Sequence, residues 1–256
     1  MTRQYLAEGI GRPEQYITVR SGMEVEPLLN APPGHDCAHT REQLGIAPTD
    51  FVIGTVARLA ELKGHDDLLD ALAPDLIKNS GWKLLWVGDG WWRGRLLDKA
   101  RSMGLTVSEL DLHASPSEPP TASASQIILT GLVPPERIPD MIRAMDVLAH
   151  PSYREGLPRT VPQALLCGVC PVAYDVDGTG EVCREMQTGR LVPPGDRTVL
   201  REAIQWCYEH PGERAAMAAR GRDQCAAVFS SESMVTALEA VYAAALPSLR
   251  DLGLRT

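Results

Sequence analysis

Short apolar runs alternate with helically spaced apolar positions through the middle of the chain. Phe51-Val52-Ile53-Gly54-Thr55-Val56-Ala57 is nearly continuous in its apolar character and has the length of a buried strand. Residues 83–87, 126–130, 146–149, 170–174 and 190–192 repeat that pattern. Between the first two runs, Leu68, Leu69, Leu72, Leu76 and Ile77 recur at the spacing of one helix face. Pro74 is expected to kink or split that helix, because its ring removes one backbone bond and crowds the carbonyl four residues back. Further helices are predicted from just after Gly90 to about Met103, over 136–144 and over 159–167. Apolar strands separated by helices belong in a parallel sheet buried on both faces. The predicted class is therefore α/β: a Rossmann-like parallel sheet with helices on both faces. A helical C-terminal extension follows over 196–208, 212–228 and 231–245, with Ser230 or Ser231 as an N-cap.

Two segments break the rhythm. Residues 106–125 are rich in Ser, Pro and Ala and read as a flexible surface insertion. Residues 1–50 hold one strand-like run, 16–20, which ends at Ser21-Gly22 ahead of a Pro/Gly stretch at 31–34. A lone strand with no partner suggests a piece of something larger.

Composition narrows the function classes. Of 256 residues, 44% are hydrophobic and 23% charged, which is globular rather than disordered. Against 33 acidic residues stand 25 Lys and Arg, a net charge of −8 that repels nucleic acid and anionic lipid. The densest cationic stretch, Trp91-Trp92-Arg93-Gly94-Arg95, is short. No apolar run approaches the ~20 residues of a membrane span, and Met1-Thr2-Arg3-Gln4-Tyr5 does not open a signal peptide. A cytoplasmic chain with no nucleic-acid partner and no integral membrane segment is the expectation. The six cysteines lack framework spacing, and Cys167-Gly-Val-Cys170 reads as two small buried residues at a helix–strand junction.

Candidate chemistry lies where ligands collect in an open parallel sheet, at the carboxyl ends of its strands. After the first strand, Arg58-Leu-Ala-Glu-Leu-Lys63-Gly64 sets a planar cationic fork and a point charge five residues apart, on a loop feeding a helix. Both groups grip phosphate oxygens, and the helix end adds its positive dipole. Taken alone, this R-x(4)-K-G pattern also fits a solvated loop. After the fourth strand comes His150-Pro-Ser-Tyr-Arg-Glu155-Gly-Leu-Pro158, with Gln163 on the helix beyond. Pro158 and Pro162 sit near the helix start, leaving the N–H groups of Leu157, Arg159 and Thr160 to face an anion. Glu155 suits hydroxyl groups, and equally suits a surface position. Gly131 permits close backbone approach beside Leu132, Val133 and Ile138, which make an apolar slot for a flat base or simply pack the core. Asp175-Val-Asp177 precedes Gly178 and reads as a turn rather than a metal motif, so no metal is assigned.

In order and spacing, these segments resemble the C-terminal half of the family-4 (group 1) retaining glycosyltransferases of GT-B fold. The matching pieces are Val56–Gly64, Val87-Gly-Asp-Gly90, Thr130-Gly-Leu-Val133, His150–Pro158, Ala164–Tyr174, Asp177-Gly-Thr-Gly-Glu181 and Gly189–Pro194, with Val19-Arg-Ser-Gly-Met-Glu24 similar to the link between the two GT-B domains. The resemblance implies an interdomain linker over 1–33 and a nucleotide-sugar-binding domain over 34–256. It implies that Arg58 and Lys63 bind the donor diphosphate and that Glu155 contacts the donor sugar. Gly131, Leu132, Val133 and Ile138 flank the base, with Gly54 and Gly88 counted among the residues bordering the donor. Gln163 stands where the family's E-x(7)-E motif has its second Glu, which puts the grip on the ribose hydroxyls in doubt. Sugar transfer with retention, without metal or cofactor, is the implied reaction, with Arg58, Lys63 and Glu155 at the reacting centre. The implied partners are a nucleotide-diphosphate sugar and an N-terminal acceptor-binding domain that these residues do not build. Transfer by this chain alone is accordingly expected to be negligible. A sugar-nucleotide epimerase and a non-catalytic nucleotide-binding module remain alternatives at this point.

Overall fold

A computed structural model describes residues 2–110 and 124–251. Seven strands form one parallel sheet: β1 (Phe51–Val56), β2 (Trp82–Val87), β3 (Val107–Glu109), β4 (Ile127–Leu129), β5 (Val147–His150), β6 (Cys170–Tyr174) and β7 (Arg190–Val192). Their spatial order is β3-β4-β2-β1-β5-β6-β7. The register runs Phe51 against Trp82 and Ile53 against Val147, so β1 is the central strand from which the chain builds outward in both directions. From β1 the sheet grows through β2 to the β3 edge, and β5 then returns to the other side of β1. The crevice outside the carboxyl ends of β1 and β5 is therefore the topological switch point, where ligands bind in sheets of this kind.

Helices α1 (Thr2–Ala7), α2 (Glu26–Leu29) and α3 (Cys37–Gln43) precede the sheet. Alternation of side chains along β1 divides the interior into two layers. Phe51 and Ile53 face Leu68, Leu72 and Leu76 of α4 (His65–Lys78), Leu96 of α5 (Arg93–Ser102) and Ile204 of α8 (Arg197–Glu209). Val52 faces Met141 of α6 (Ile138–Arg143) and Val161 and Leu165 of α7 (Thr160–Leu166). Each buried Leu or Ile contributes roughly 1.5–3 kcal/mol over its exposed state, which is why apolar strands demand helices on both sides. α9 (Pro211–Val228) and α10 (Ser231–Asp251) complete the helical extension. Ser230 is the cap of α10, accepting the Ser233 N–H at 3.0 Å.

Three sequence expectations are corrected. α4 is not split at Pro74; it runs on to Lys78, because nine of its fourteen residues are buried against the sheet and neighbouring helices. Residues 16–20 join no strand, since the sheet's edges are β3 and β7. The segment is instead held by the Arg20–Glu181 ion pair at 3.1 Å and by Met23, whose N–H donates to the Phe229 carbonyl at 2.8 Å. The Ser/Pro-rich segment is not an insertion from its first residue. Val107–Glu109 is the edge strand β3, and Leu110 packs on the core beyond it. Residues 111–123 lie outside the described residues. Cys167 and Cys170 are unpaired at the α7–β6 junction; burial pushes the Cys167 thiol up to about 12, the behaviour of a small apolar residue.

Candidate functional site at the sheet switch point

The loops after β1 and β5 lie against each other. Gly64 adopts φ +71°, the left-handed region that favours glycine, and a Cβ there would stand 2.0 Å from the Pro151 carbonyl oxygen. The Leu62 carbonyl accepts both the Tyr153 N–H at 2.9 Å and the Ser152 hydroxyl at 3.0 Å. Across this seam Lys63 Nζ reaches Glu155 Oε1 at 2.5 Å, with Ser152 Oγ at 3.5 Å. His150, the last residue of β5, sets Nε2 3.4 Å from the same Glu155 oxygen, and its Nδ1 lies 3.2 Å from the Thr160 hydroxyl at the start of α7. Burial by itself would raise the Glu155 carboxyl, but His150, Lys63 and Ser152 outweigh it and bring the group down to about 2.

The loop after β6 closes the third side. Asp177, at φ +47°, accepts the Glu155 N–H at 2.8 Å, and the Gly178 N–H donates to the Gly156 carbonyl at 2.9 Å. Asp177 is thus a turn residue clamping the Glu155 backbone. Among the described residues, no three His, Cys, Asp or Glu side chains converge on a point that would hold a metal ion. Beneath the three loops, the buried Asp67 of α4 accepts from Tyr153 Oη at 2.5 Å, Tyr174 Oη at 2.8 Å and Arg197 Nε at 2.7 Å. A buried carboxylate is stable only when paired and hydrogen-bonded, and Asp67 is both. Burial and the Asp67 charge raise the Tyr153 and Tyr174 phenols above their ordinary value.

Arg58 is exposed at the mouth of this crevice, its Cζ 5.4 Å from the ring centroid of Trp91. The turn after β2 lies alongside: a Cβ on Gly88 would stand 2.1 Å from the Ala57 carbonyl oxygen. The Gly88 N–H also donates to the Gly131 carbonyl at 2.9 Å, which brings the loop after β4 into the same rim. On that loop Leu132 is 71% exposed, while Val133, Ile138 and Leu157 rest half-buried on the core. The N–H groups of Leu157, Arg159 and Thr160 make no hydrogen bond with the described residues, and neither does the carboxamide side chain of the half-buried Gln163. Leu157 and Arg159 border a cleft of about 910 Å³ that is also lined by Thr18–Ser21, Asp177 and Glu181. Arg20 Nη2 meets Glu181 Oε2 there at 3.1 Å.

Of the candidates, Arg58, Lys63, Glu155, Gly88, Gly131, Leu157, Arg159 and Thr160 lie on the loops that meet here. Leu132, Val133, Ile138 and Gln163 flank them. Gly54 does not belong to the group. It lies inside β1, paired with Leu85 and Leu148, and the Met145 side chain occupies the space its Cβ would need, so it is a packing position. Sequence reasoning passes over Asp67, His150, Ser152, Tyr153 and Trp91 as site-building residues. His150 and Ser152 stand in a motif that is already informative. Asp67 resembles any acidic residue in the first turn of a helix.

The chain is similar to several known proteins. It is 35% identical over 165 residues to the D-inositol 3-phosphate glycosyltransferase of Rhodococcus erythropolis, a stretch covering 62% of this chain and 33% of the relative. It is 28% identical over 178 residues to the 2-deoxystreptamine glucosyltransferase of Streptomyces kanamyceticus, 70% of this chain and 41% of that one. Among solved structures, Anabaena Alr3699/HepE in complex with UDP superposes with a TM-score of 0.77 and 26% identity, over 96% of this chain and 61% of HepE. The C-terminal domain of the group 1 glycosyl transferase LpcC from Francisella tularensis shares the fold at a TM-score of 0.64 and 18% identity, over 82% of this chain and 100% of that domain. The chain thus spans about a third of the length of the first of these curated relatives. The profile of one family matches residues 50–210, which take in all seven strands and α8, and on that match the chain belongs to the Glycosyl transferases group 1.

Proposed function

We propose that this chain is the donor-binding half of a glycosyltransferase that moves a sugar from a nucleotide-diphosphate sugar to an acceptor with retention of anomeric configuration and without a metal. The observation that carries this reading is the placement on the loops after β1 and β5, at the sheet switch point, of Arg58, the Lys63–Glu155 pair and the N–H groups of Leu157, Arg159 and Thr160, which are unbonded among the described residues. HepE, which shares the fold over almost the whole chain, was solved with UDP, and that favours a nucleoside diphosphate in this crevice.

The groups divide the work. As the bond from the anomeric carbon to the β-phosphate oxygen breaks, negative charge grows on the leaving diphosphate. Arg58, Lys63 and the N–H groups at the start of α7 meet that charge, and being held in place beforehand they need no reorganisation as it develops. Glu155 is a poor proton acceptor, since a carboxyl titrating at about 2 is far from a general base matched to neutral pH. It serves instead as a fixed anion that accepts hydrogen bonds from sugar hydroxyls and keeps Lys63 aimed. Gln163 offers a neutral amide to the ribose, a weaker partner than a carboxylate by roughly 1 kcal/mol.

Calorimetric titration of UDP into the chain tests the reading. Arg58→Ala removes a charge-assisted contact and is expected to raise the Kd about tenfold or more. An unchanged Kd overturns the donor site.

A further inference from the structure

We propose that Trp91 is a positioning residue for Arg58: its indole face orients the guanidinium so that the nitrogen edge is presented to a nucleoside diphosphate. The inference rests on the donor-site reading above and adds the residue that prepares that site for its ligand.

The two cations of the crevice are held in different ways. Lys63 is already paired with Glu155 at 2.5 Å and lies partly buried. Arg58 has no carboxylate partner among the described residues, and its one specific contact is the Trp91 ring, 5.4 Å from Cζ to the centroid. An acidic partner would compete with phosphate for the guanidinium N–H groups. A ring face does not, because it attracts the cation through its π-cloud and takes up none of the five donors. It also restrains a side chain whose rotamer freedom would otherwise be given up on binding.

The pairing is built into the backbone. The Ala57 N–H donates to the Val87 carbonyl, the Leu59 N–H to the Asp89 carbonyl and the Trp92 N–H to the Leu59 carbonyl, each at 3.1 Å. Gly90 lets the two segments touch, since a Cβ there would lie 2.3 Å from the Leu59 carbonyl oxygen. These contacts bracket Arg58 on one strand of the seam and Trp91 on the other. The adjacent tryptophan behaves differently, since Trp92 packs partly against the core and carries Arg95 at 4.3 Å. Trp91, by contrast, is 70% exposed, and core packing gives no reason for an indole at that position.

A double-mutant cycle read by calorimetry with UDP tests the role, using the full chain and the variants Trp91→Ala, Trp91→Phe, Arg58→Ala and Trp91→Ala/Arg58→Ala. Trp91→Ala is expected to raise the Kd about three- to fivefold, the scale of an exposed cation–π contact. Trp91→Phe, which keeps a ring face, is expected to stay within about twofold of the parent. In the Arg58→Ala background, Trp91→Ala is expected to change the Kd no further, because the indole then has nothing to orient. Equal losses from Trp91→Ala with and without Arg58 overturn the proposal and make Trp91 a direct ligand contact instead. A Trp91→Ala variant that binds as the parent does, while Arg58→Ala weakens binding, also overturns it and leaves the donor site standing. Should Arg58→Ala itself have no effect, the donor-site reading falls and takes this inference with it.

Discussion

The imidazole of His65 opens α4 only 2% exposed, set edge-on against the Trp86 ring at 5.2 Å, with Nδ1 lacking a hydrogen-bond partner. Burial lowers it from an ordinary 6.5 to about 4; Asp66 opposes that shift and Lys63 adds to it. A folded-state value below the unfolded one means that stability is complete above the ordinary value. It is lost as pH falls, because the unfolded chain takes up the proton first. Denaturant unfolding is therefore expected to show a loss between pH 6.5 and about 4, on the order of 3 kcal/mol, relative to a His65→Gln variant. Parallel pH profiles for the two proteins would refute the assignment. Glu155 carries the same sign in a lower window: its depressed carboxyl favours the folded state above the ordinary carboxylate range, and that contribution goes as pH approaches about 2.

At the scale of elements, the meeting of two loops depends on glycine geometry. Gly64→Ala places a Cβ against the Pro151 carbonyl at a backbone φ of +71°, so strain and collision add. The variant is expected to lose at least about 2 kcal/mol of unfolding free energy. Gly94→Ala, inside α5 with nothing within 4 Å of the new methyl, is expected to gain about 0.5–1 kcal/mol by helix propensity alone. Chemical denaturation of the two variants beside the parent distinguishes a glycine required by its site from one that is not. The same contrast explains what the sequence discloses. β1, β2 and β6 are legible because apolar residues fill both faces. β3 is not, since two of its three residues are Ser and Glu and it leads into a Ser/Pro-rich stretch. Lys63 and Glu155 are legible from loop position and residue type. The Asp67 hub and the Arg58–Trp91 pairing are not, because their partners, distant in the chain, meet only through the strand order.

For the whole molecule, the chain spans about a third of the length of a curated glycosyltransferase relative. The helices described include none long and apolar enough to cross a membrane. In the proposed reading this chain supplies the donor site and no acceptor site. Incubation of this chain alone with radiolabelled UDP-sugar and candidate acceptors is expected to give negligible transfer. Robust turnover would overturn the reading of this chain as the donor-binding half alone.

The Leu62 carbonyl, which takes hydrogen bonds from both Tyr153 and Ser152, has a consequence for anyone wishing to alter donor choice. A graft that replaces the segment after β5 without Ser152 and Glu155 removes one of those donors and leaves Lys63 without its carboxylate, while any residue but proline at 153 keeps the other. The two loops are one transplantable cassette, and libraries that shuffle them separately sample mostly mismatched halves.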